Sequence, residues 1–222
     1  MQRRFFVGDL HGCVDELEDL LSSFGFVPGS DQLFSVGDIL GKGPNSLGVL
    51  IRLKQLHATI VLGNHDAHGL KAASLPQGER KANHQLYLDS LGPAREAWLT
   101  EIATWPLFYE EKDFLLVHAG LEPGVSHPST MHREILLNIR TWDGVGQNLK
   151  IESNPPWFEC VTPQKIVIFG HWAKRGLVDL PHFKGLDTGC VYGRQLTGWC
   201  LEENRFYQVP ARRVYAEIKL PP

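Results

Sequence analysis

Two aspartates, one asparagine and three histidines stand where five short apolar runs of this chain end. Phe5-Phe6-Val7 leads into Gly8-Asp9-Leu10-His11-Gly12, and Phe34-Ser35-Val36 into Gly37-Asp38. Ile60-Val61-Leu62 leads into Gly63-Asn64-His65-Asp66, Leu115-Leu116-Val117 into His118-Ala119-Gly120, and Val167-Ile168-Phe169 into Gly170-His171. Carboxylate, amide and imidazole donors suit a pair of divalent metal ions, with manganese expected and iron, zinc, cobalt or magnesium as alternatives. Two such ions about 3.5–4 Å apart supply a nucleophilic oxygen at neutral pH and neutralise phosphoryl oxygens. Such a pair would suit hydrolysis of a phosphate ester or anhydride. Asp38 is the natural bridging carboxylate. Asp9 and His11, two apart on one turn, can reach a single ion, while Asn64, His118 and His171 offer donors to the second. His65, beside a ligand, can act as general acid, since an imidazole with a pKa near 6.5 suits that role near pH 7. Taken singly, Gly8-Asp9 is common turn chemistry and His118 an ordinary core histidine; together the five motifs read as one site.

Something must carry these groups to one place. Apolar runs this short, β-branched or aromatic and bounded by glycine, read as buried strands, and open sheets gather chemistry at the carboxyl ends of such strands. Strands are predicted over 3–8, 32–37, 58–63 and 114–117. A helix over 13–24 carries Val14, Leu17, Leu20, Leu21 and Phe24 on one face, and Pro44-Asn45 opens another. The early motifs lie one βαβ unit apart, so this half reads as a parallel sheet with right-handed crossovers. From 64 to about 104 the chain reads as helical and more polar, with Lys71, Arg80, Lys81 and His84 on a solvated face. Residues 129–140 read as helix, and Trp142 to Pro163 as a long loop over the site or surface. Short strands near 183–186, 195–201 and 205–209 form a hairpin pattern that implies a second, partly antiparallel sheet. The expected fold is α/β, two mixed sheets packed as a sandwich flanked by helices, in a single domain over residues 1–222.

With 222 residues and 43% hydrophobic content, the chain can bury a sizeable core. Its formal net charge of −3 gives no general drive toward nucleic acid or membrane. No apolar run is long enough to span a bilayer, and the stretch after Arg4 is too short for a signal peptide. The four cysteines show no Cys-x-x-Cys spacing and read as reduced thiols of a cytoplasmic protein. No protein partner is predicted.

The five motifs together resemble the calcineurin-like metallophosphoesterases, in the phosphoprotein-phosphatase branch, whose fold is a β-sandwich flanked by helices. Val61 to His68, Phe169 to Ala173, Leu186 to Gly193 and Leu196-Thr197 are similar to the symmetrical diadenosine tetraphosphatases, which split dinucleoside tetraphosphates into two nucleoside diphosphates. The resemblance runs from about residue 4 to residue 209. It implies that Asp9, His11 and Asp38 hold one metal, that Asp38, Asn64, His118 and His171 hold the other, and that His65 is the acid. A phosphorylated small molecule, specifically diadenosine tetraphosphate, is the expected substrate; phosphoserine or phosphothreonine of proteins, polyphosphate and capped RNA are alternatives using the same metals. Three departures stand out. Lys42, in Gly41-Lys42-Gly43, replaces the usual phosphate-binding arginine, keeping charge but losing the bidentate fork, as in ApaH-like phosphatases. Gly41 stands where protein phosphatases carry an aspartate that orients the histidine, leaving the partner of His65 open. The segment between His118 and Gly170 looks shorter than in the tetraphosphatases. Arg140 is the candidate second phosphate clamp, against the alternative of a surface arginine paired with a carboxylate. Asp187 either accepts from a ligating histidine or is a turn aspartate.

Overall fold

A computed structural model of the protein describes residues 2–217. Its strands are β1 (Arg4–Val7), β2 (Gln32–Ser35), β3 (Thr59–Ile60), β4 (Phe108–Glu110), β5 (Phe114–Val117), β6 (Ile166–Phe169), β7 (Val178–Leu180), β8 (Phe183–Gly185), β9 (Gln195–Cys200) and β10 (Arg205–Pro210). Six α-helices accompany them: α1 (Val14–Phe24), α2 (Ser46–Gln55), α3 (Asn64–Ser74), α4 (Ala82–Asp89), α5 (Arg95–Ile102) and α6 (Arg133–Asn138).

The strands form two five-stranded sheets, ordered β10-β9-β1-β2-β3 and β4-β5-β6-β8-β7. Side-chain alternation explains why the central strands read as unbroken apolar runs. In β1, Phe5 and Val7 join the core under α1 and α2, while Phe6 points the other way, into the cluster between the sheets. β5 does the same from the opposite side: Phe114 and Leu116 enter the inter-sheet cluster, Leu115 and Val117 the outer core. Phe6 stacks on Phe34 at 4.9 Å and meets Phe114 edge-on at 4.8 Å. Each such buried side chain contributes roughly 1.5–3 kcal/mol.

β1, β2 and β3 run parallel, as expected, and so do β5, β6 and β8. The C-terminal hairpin differs from expectation. β9 pairs antiparallel with β1, so β9 and β10 extend the first sheet rather than build the second. The second sheet owes its antiparallel character to β4 and β7, three-residue edge strands too short to leave a sequence pattern. β3 is two residues long because Leu62 leaves the ladder to donate to Pro106 O at 2.8 Å. The helix expected over 129–140 begins only at Arg133, where Glu122 accepts the His132 amide at 2.8 Å and restarts the chain after a short 3₁₀ turn. The loop over 142–163 is anchored: Trp157 is fully buried against Phe169 and Phe183, with ring centroids 5.1 and 5.5 Å away. No helix among the described residues is long and apolar enough to cross a membrane.

Candidate metal centre

The carboxyl ends of β1, β2, β5 and β6 and the N-terminus of α3 meet at one edge of the sandwich. Ligand atoms of Asp9, Asp38 and His118 lie within 4.8 Å of one another, and so do those of His11, Asp38 and His65. Asp38 belongs to both groups. Asn64 Oδ1 lies 2.9 Å from both His118 Nε2 and His171 Nδ1. All six proposed ligands are buried.

Backbone geometry shows why these motifs carry glycine. A β-carbon on Gly170 would lie 2.0 Å from Asp9 Oδ1, and one on Gly63 would lie 2.2 Å from the Asp38 amide nitrogen. Each of these glycines makes room for a carboxylate delivered by a different motif. His11, Asp38, Lys42 and His171 hold φ at +42°, +54°, +64° and +68°, a left-handed conformation that non-glycine residues adopt at a cost. Such strain persists only where the surroundings fix it, and here they do. Asp66 Oδ1 accepts the amides of Ile39 and Leu40 at 3.0 and 2.9 Å, and Oδ2 accepts those of Asp38 and Gly63 at 2.8 and 3.1 Å. The His171 amide donates to Asp9 at 3.0 Å, and the His65 amide to Asp38 at 2.8 Å.

Two histidines have their tautomer fixed from outside. His118 donates Nδ1–H to Val36 O at 2.8 Å and His11 donates Nδ1–H to Leu40 O at 3.2 Å, since a carbonyl can only accept. Their Nε2 atoms therefore face inward bare, the state a metal ligand requires. Burial keeps them neutral: it lowers His118 to about 4, and with the Lys42 charge it depresses His11 well below the usual imidazole range. The carboxyls move the other way. Burial raises Asp38 to about 6 and, with the Asp187 and Asp38 charges, pushes Asp9 well above the usual carboxylate range.

A family model described as calcineurin-like phosphoesterase matches residues 3–204. The chain belongs to this family. The symmetrical bis(5'-nucleosyl)-tetraphosphatase of Tolumonas auensis is 31% identical over 265 aligned positions, covering 92% of this chain and 95% of the relative. A crystal structure assigned as a diadenosine tetraphosphatase is 33% identical, with a TM-score of 0.80 over 95% of this chain and 94% of that one. A metallophosphoesterase from Sphaerobacter thermophilus, 19% identical, shares the fold at a TM-score of 0.60 over 96% and 89% of the two chains. As a calcineurin-like phosphoesterase, the protein is a hydrolase of phosphate esters or anhydrides.

The family implies divalent metal ions, and the donor set fits them. His171 Nε2 is buried with no hydrogen-bond partner among the described residues. The Nε2 atoms of His11 and His118 face Asp38 oxygens at 3.4 and 3.5 Å, with the Lys42 ammonium 3.2 Å from His11 Nε2. Converging lone pairs with too few donors are what cations satisfy.

One consequence concerns stability. Asp9, Asp38 and Asp66, the last raised to about 7 by burial and the Asp38 charge, bind protons in the folded protein at pH values where the unfolded chain does not. The stability they contribute is complete below about pH 4 and is lost as pH rises through about 6–7. The buried neutral imidazoles of His11, His65, His118 and His171 act in the opposite sense, because the unfolded chain protonates them below about pH 6.5. The increment due to metal is therefore the quantity with a definite sign: added Mn²⁺ is expected to raise the melting temperature more at pH 8 than at pH 5.5, where carboxyl protons must first leave. Calorimetry with and without chelator checks this. A metal effect independent of pH would contradict it.

The other sequence-predicted residues fall around this centre. Lys42 Nζ lies 3.2 Å from His11 Nε2 and 5.2 Å from the centre of the Tyr192 ring. Arg140 lies two residues beyond α6; it forms no ion pair among the described residues, its Nε is buried without a partner, and its charge helps depress His171. Asp187 accepts the Gly189 amide at 3.1 Å, the turn reading, while its charge acts on Asp9. His65 Nδ1 lies 2.9 Å from Tyr87 Oη. Sequence reasoning gave no role to Asp66 or Tyr87. His127 and His132, both exposed, pair with Glu110 and with the buried Glu122.

Proposed function

We propose that this phosphoesterase uses two divalent metal ions, manganese first among them, to split dinucleoside tetraphosphates symmetrically, diadenosine tetraphosphate giving two ADP. The convergence of Asp9, His11 and His118 on Asp38, with Asn64 Oδ1 2.9 Å from both His118 and His171, carries the reading, and the relatives named symmetrical tetraphosphatases supply the substrate class. Asp9, His11 and Asp38 would hold one ion; Asp38, Asn64, His118 and His171 the other. When bound, the ions polarise phosphoryl oxygens and lower the pKa of water.

The chain's own residues do the rest. Asp38 presents an oxygen to each ligand group. His65, on the first turn of α3, donates a proton to the leaving oxygen. Its burial and the Lys42 charge lower its pKa to about 2, so in the metal-free protein the ring is neutral. To act as acid it takes up a second proton, such as the one released by the attacking water, and is neutral again once the leaving oxygen has received it. Lys42 and Arg140 bind phosphate oxygens, Arg140 without a competing carboxylate. Replacing Lys42 with Ala is expected to raise KM about tenfold, equivalent to ~1.4 kcal/mol of phosphate binding, with a smaller change in kcat. Unchanged steady-state kinetics would mean that the ammonium points away from substrate.

A second reading keeps the metals and takes larger phosphorylated substrates. It is supported by length: the alignment with the Tolumonas auensis protein runs over 265 positions against 222 residues here, so that relative carries insertions this chain lacks. A product-resolved assay of Mn²⁺-loaded enzyme separates the two. ADP as sole product from diadenosine tetraphosphate is the expected result. AMP with ATP, or higher kcat/KM on a phosphopeptide, would contradict it.

A further inference from the structure

His65 differs from His11 and His118 in what holds its ring. His11 and His118 are fixed by backbone carbonyls, whereas the Nδ1 of His65 meets a side chain, the hydroxyl of Tyr87, at 2.9 Å. Tyr87 comes from α4, and its ring is buried and stands edge-on to His65 with centroids 5.8 Å apart. On its far side the ring closes against Gly41. A β-carbon there would lie 2.2 Å from Tyr87 Cε1 and 2.7 Å from Cδ1, so the phenol fills the space that any side chain at position 41 would take. Gly41 also sits at φ +80°, which glycine adopts freely. The small residue and the aromatic ring are thus two halves of one arrangement.

We propose that Tyr87 is the positioning residue of His65, and that Gly41 is small because Tyr87 occupies its place. The inference rests on His65 being the acid. The phenol oxygen can accept Nδ1–H, so a doubly protonated ring keeps its transferable proton on Nε2 and ends neutral once that proton is given away. With Nδ1 held by Tyr87, Nε2 is the nitrogen left for the leaving oxygen, and a ring nitrogen of His65 already lies within 4.8 Å of ligand atoms of Asp38 and His11. A purely structural bond would instead tie α4 to α3 without regard to the chemistry.

Leaving-group dependence separates the two. Phenyl phosphate departs as a basic phenoxide and needs a proton; p-nitrophenyl phosphate departs readily without one. In Mn²⁺-loaded enzyme, Tyr87→Phe keeps the ring against Gly41 and removes only the hydroxyl. It is expected to lower kcat on phenyl phosphate about tenfold with KM changed less than about twofold, and to slow the nitrophenyl ester far less. His65→Gln is expected to lower kcat on phenyl phosphate by at least about 10²-fold, again selectively. Adding Tyr87→Phe to His65→Gln should then change nothing further, because the hydroxyl acts only through the imidazole. If His65→Gln slows both esters equally, the acid assignment fails and the inference fails with it. If His65→Gln is selective but Tyr87→Phe slows both esters equally, slows neither, or further slows the His65→Gln enzyme, the positioning role alone is overturned.

Discussion

Asp38→Asn is expected to fold normally and to turn over roughly 10³-fold more slowly than wild type, a loss of about 4 kcal/mol of transition-state stabilisation. The near-identical shape of the two side chains favours folding. An asparagine keeps the Oδ1 that accepts the His65 amide at 2.8 Å, and the backbone at position 38 is held by Asp66, not by its own side chain. The missing charge accounts for the loss. Asp38 is the residue shared by the two ligand groups, so a neutral amide there weakens both cation sites at once. A third expectation follows from its pKa, raised to about 6 by burial. Removing a carboxyl whose ionisation the fold opposes makes the metal-free variant at least as stable as metal-free wild type at pH 8. Turnover, metal content and calorimetry on the two proteins test all three. Near-normal turnover would refute the bridging role.

Asp66→Ala is expected to damage the fold itself. Asp66 is fully buried and satisfies four backbone amides from two motifs, those of Asp38, Ile39, Leu40 and Gly63. An alanine leaves those donors without acceptors in a space that water enters poorly, at a cost of about 3–5 kcal/mol. The left-handed backbone of Asp38 loses its support in the same step, so activity should vanish even at temperatures where the variant stays folded. Asp66→Asn retains one acceptor oxygen and should fall between the two. Urea denaturation with activity at 15 °C checks this ordering. A variant with wild-type stability and activity would show that the amides find other partners.

Much of this architecture could be read from residue order because its central strands are buried on both faces, which leaves apolar runs bounded by glycine. Phe5-Phe6-Val7 and Val167-Ile168-Phe169 are legible for that reason. Register between distant strands leaves no local trace. The pairing of β9 with β1 depends on Gly198 lying opposite Val7, some 190 positions away, and nothing around Gly198 announces it. The edge strands β4 and β7 escaped notice because three residues cannot establish a period. The centre shows the same division. Asp66 could have been found from its position: it is the third residue of α3, where a carboxylate faces the free amides of the helix start, and its Oδ2 accepts the Gly63 amide. Tyr87 could not, since α4 carries no marked apolar face. The one available signal was negative, a glycine at position 41 that left His65 without a neighbouring acid.

The proposed mechanism needs two cations that share Asp38. Crystals grown with Mn²⁺ and measured at a wavelength where manganese scatters anomalously test it directly. Two peaks about 3.5–4 Å apart are expected, both within bonding distance of the Asp38 carboxylate, one also touching Asp9 and His11 and the other Asn64, His118 and His171. A single peak, or a pair displaced from Asp38, would contradict it.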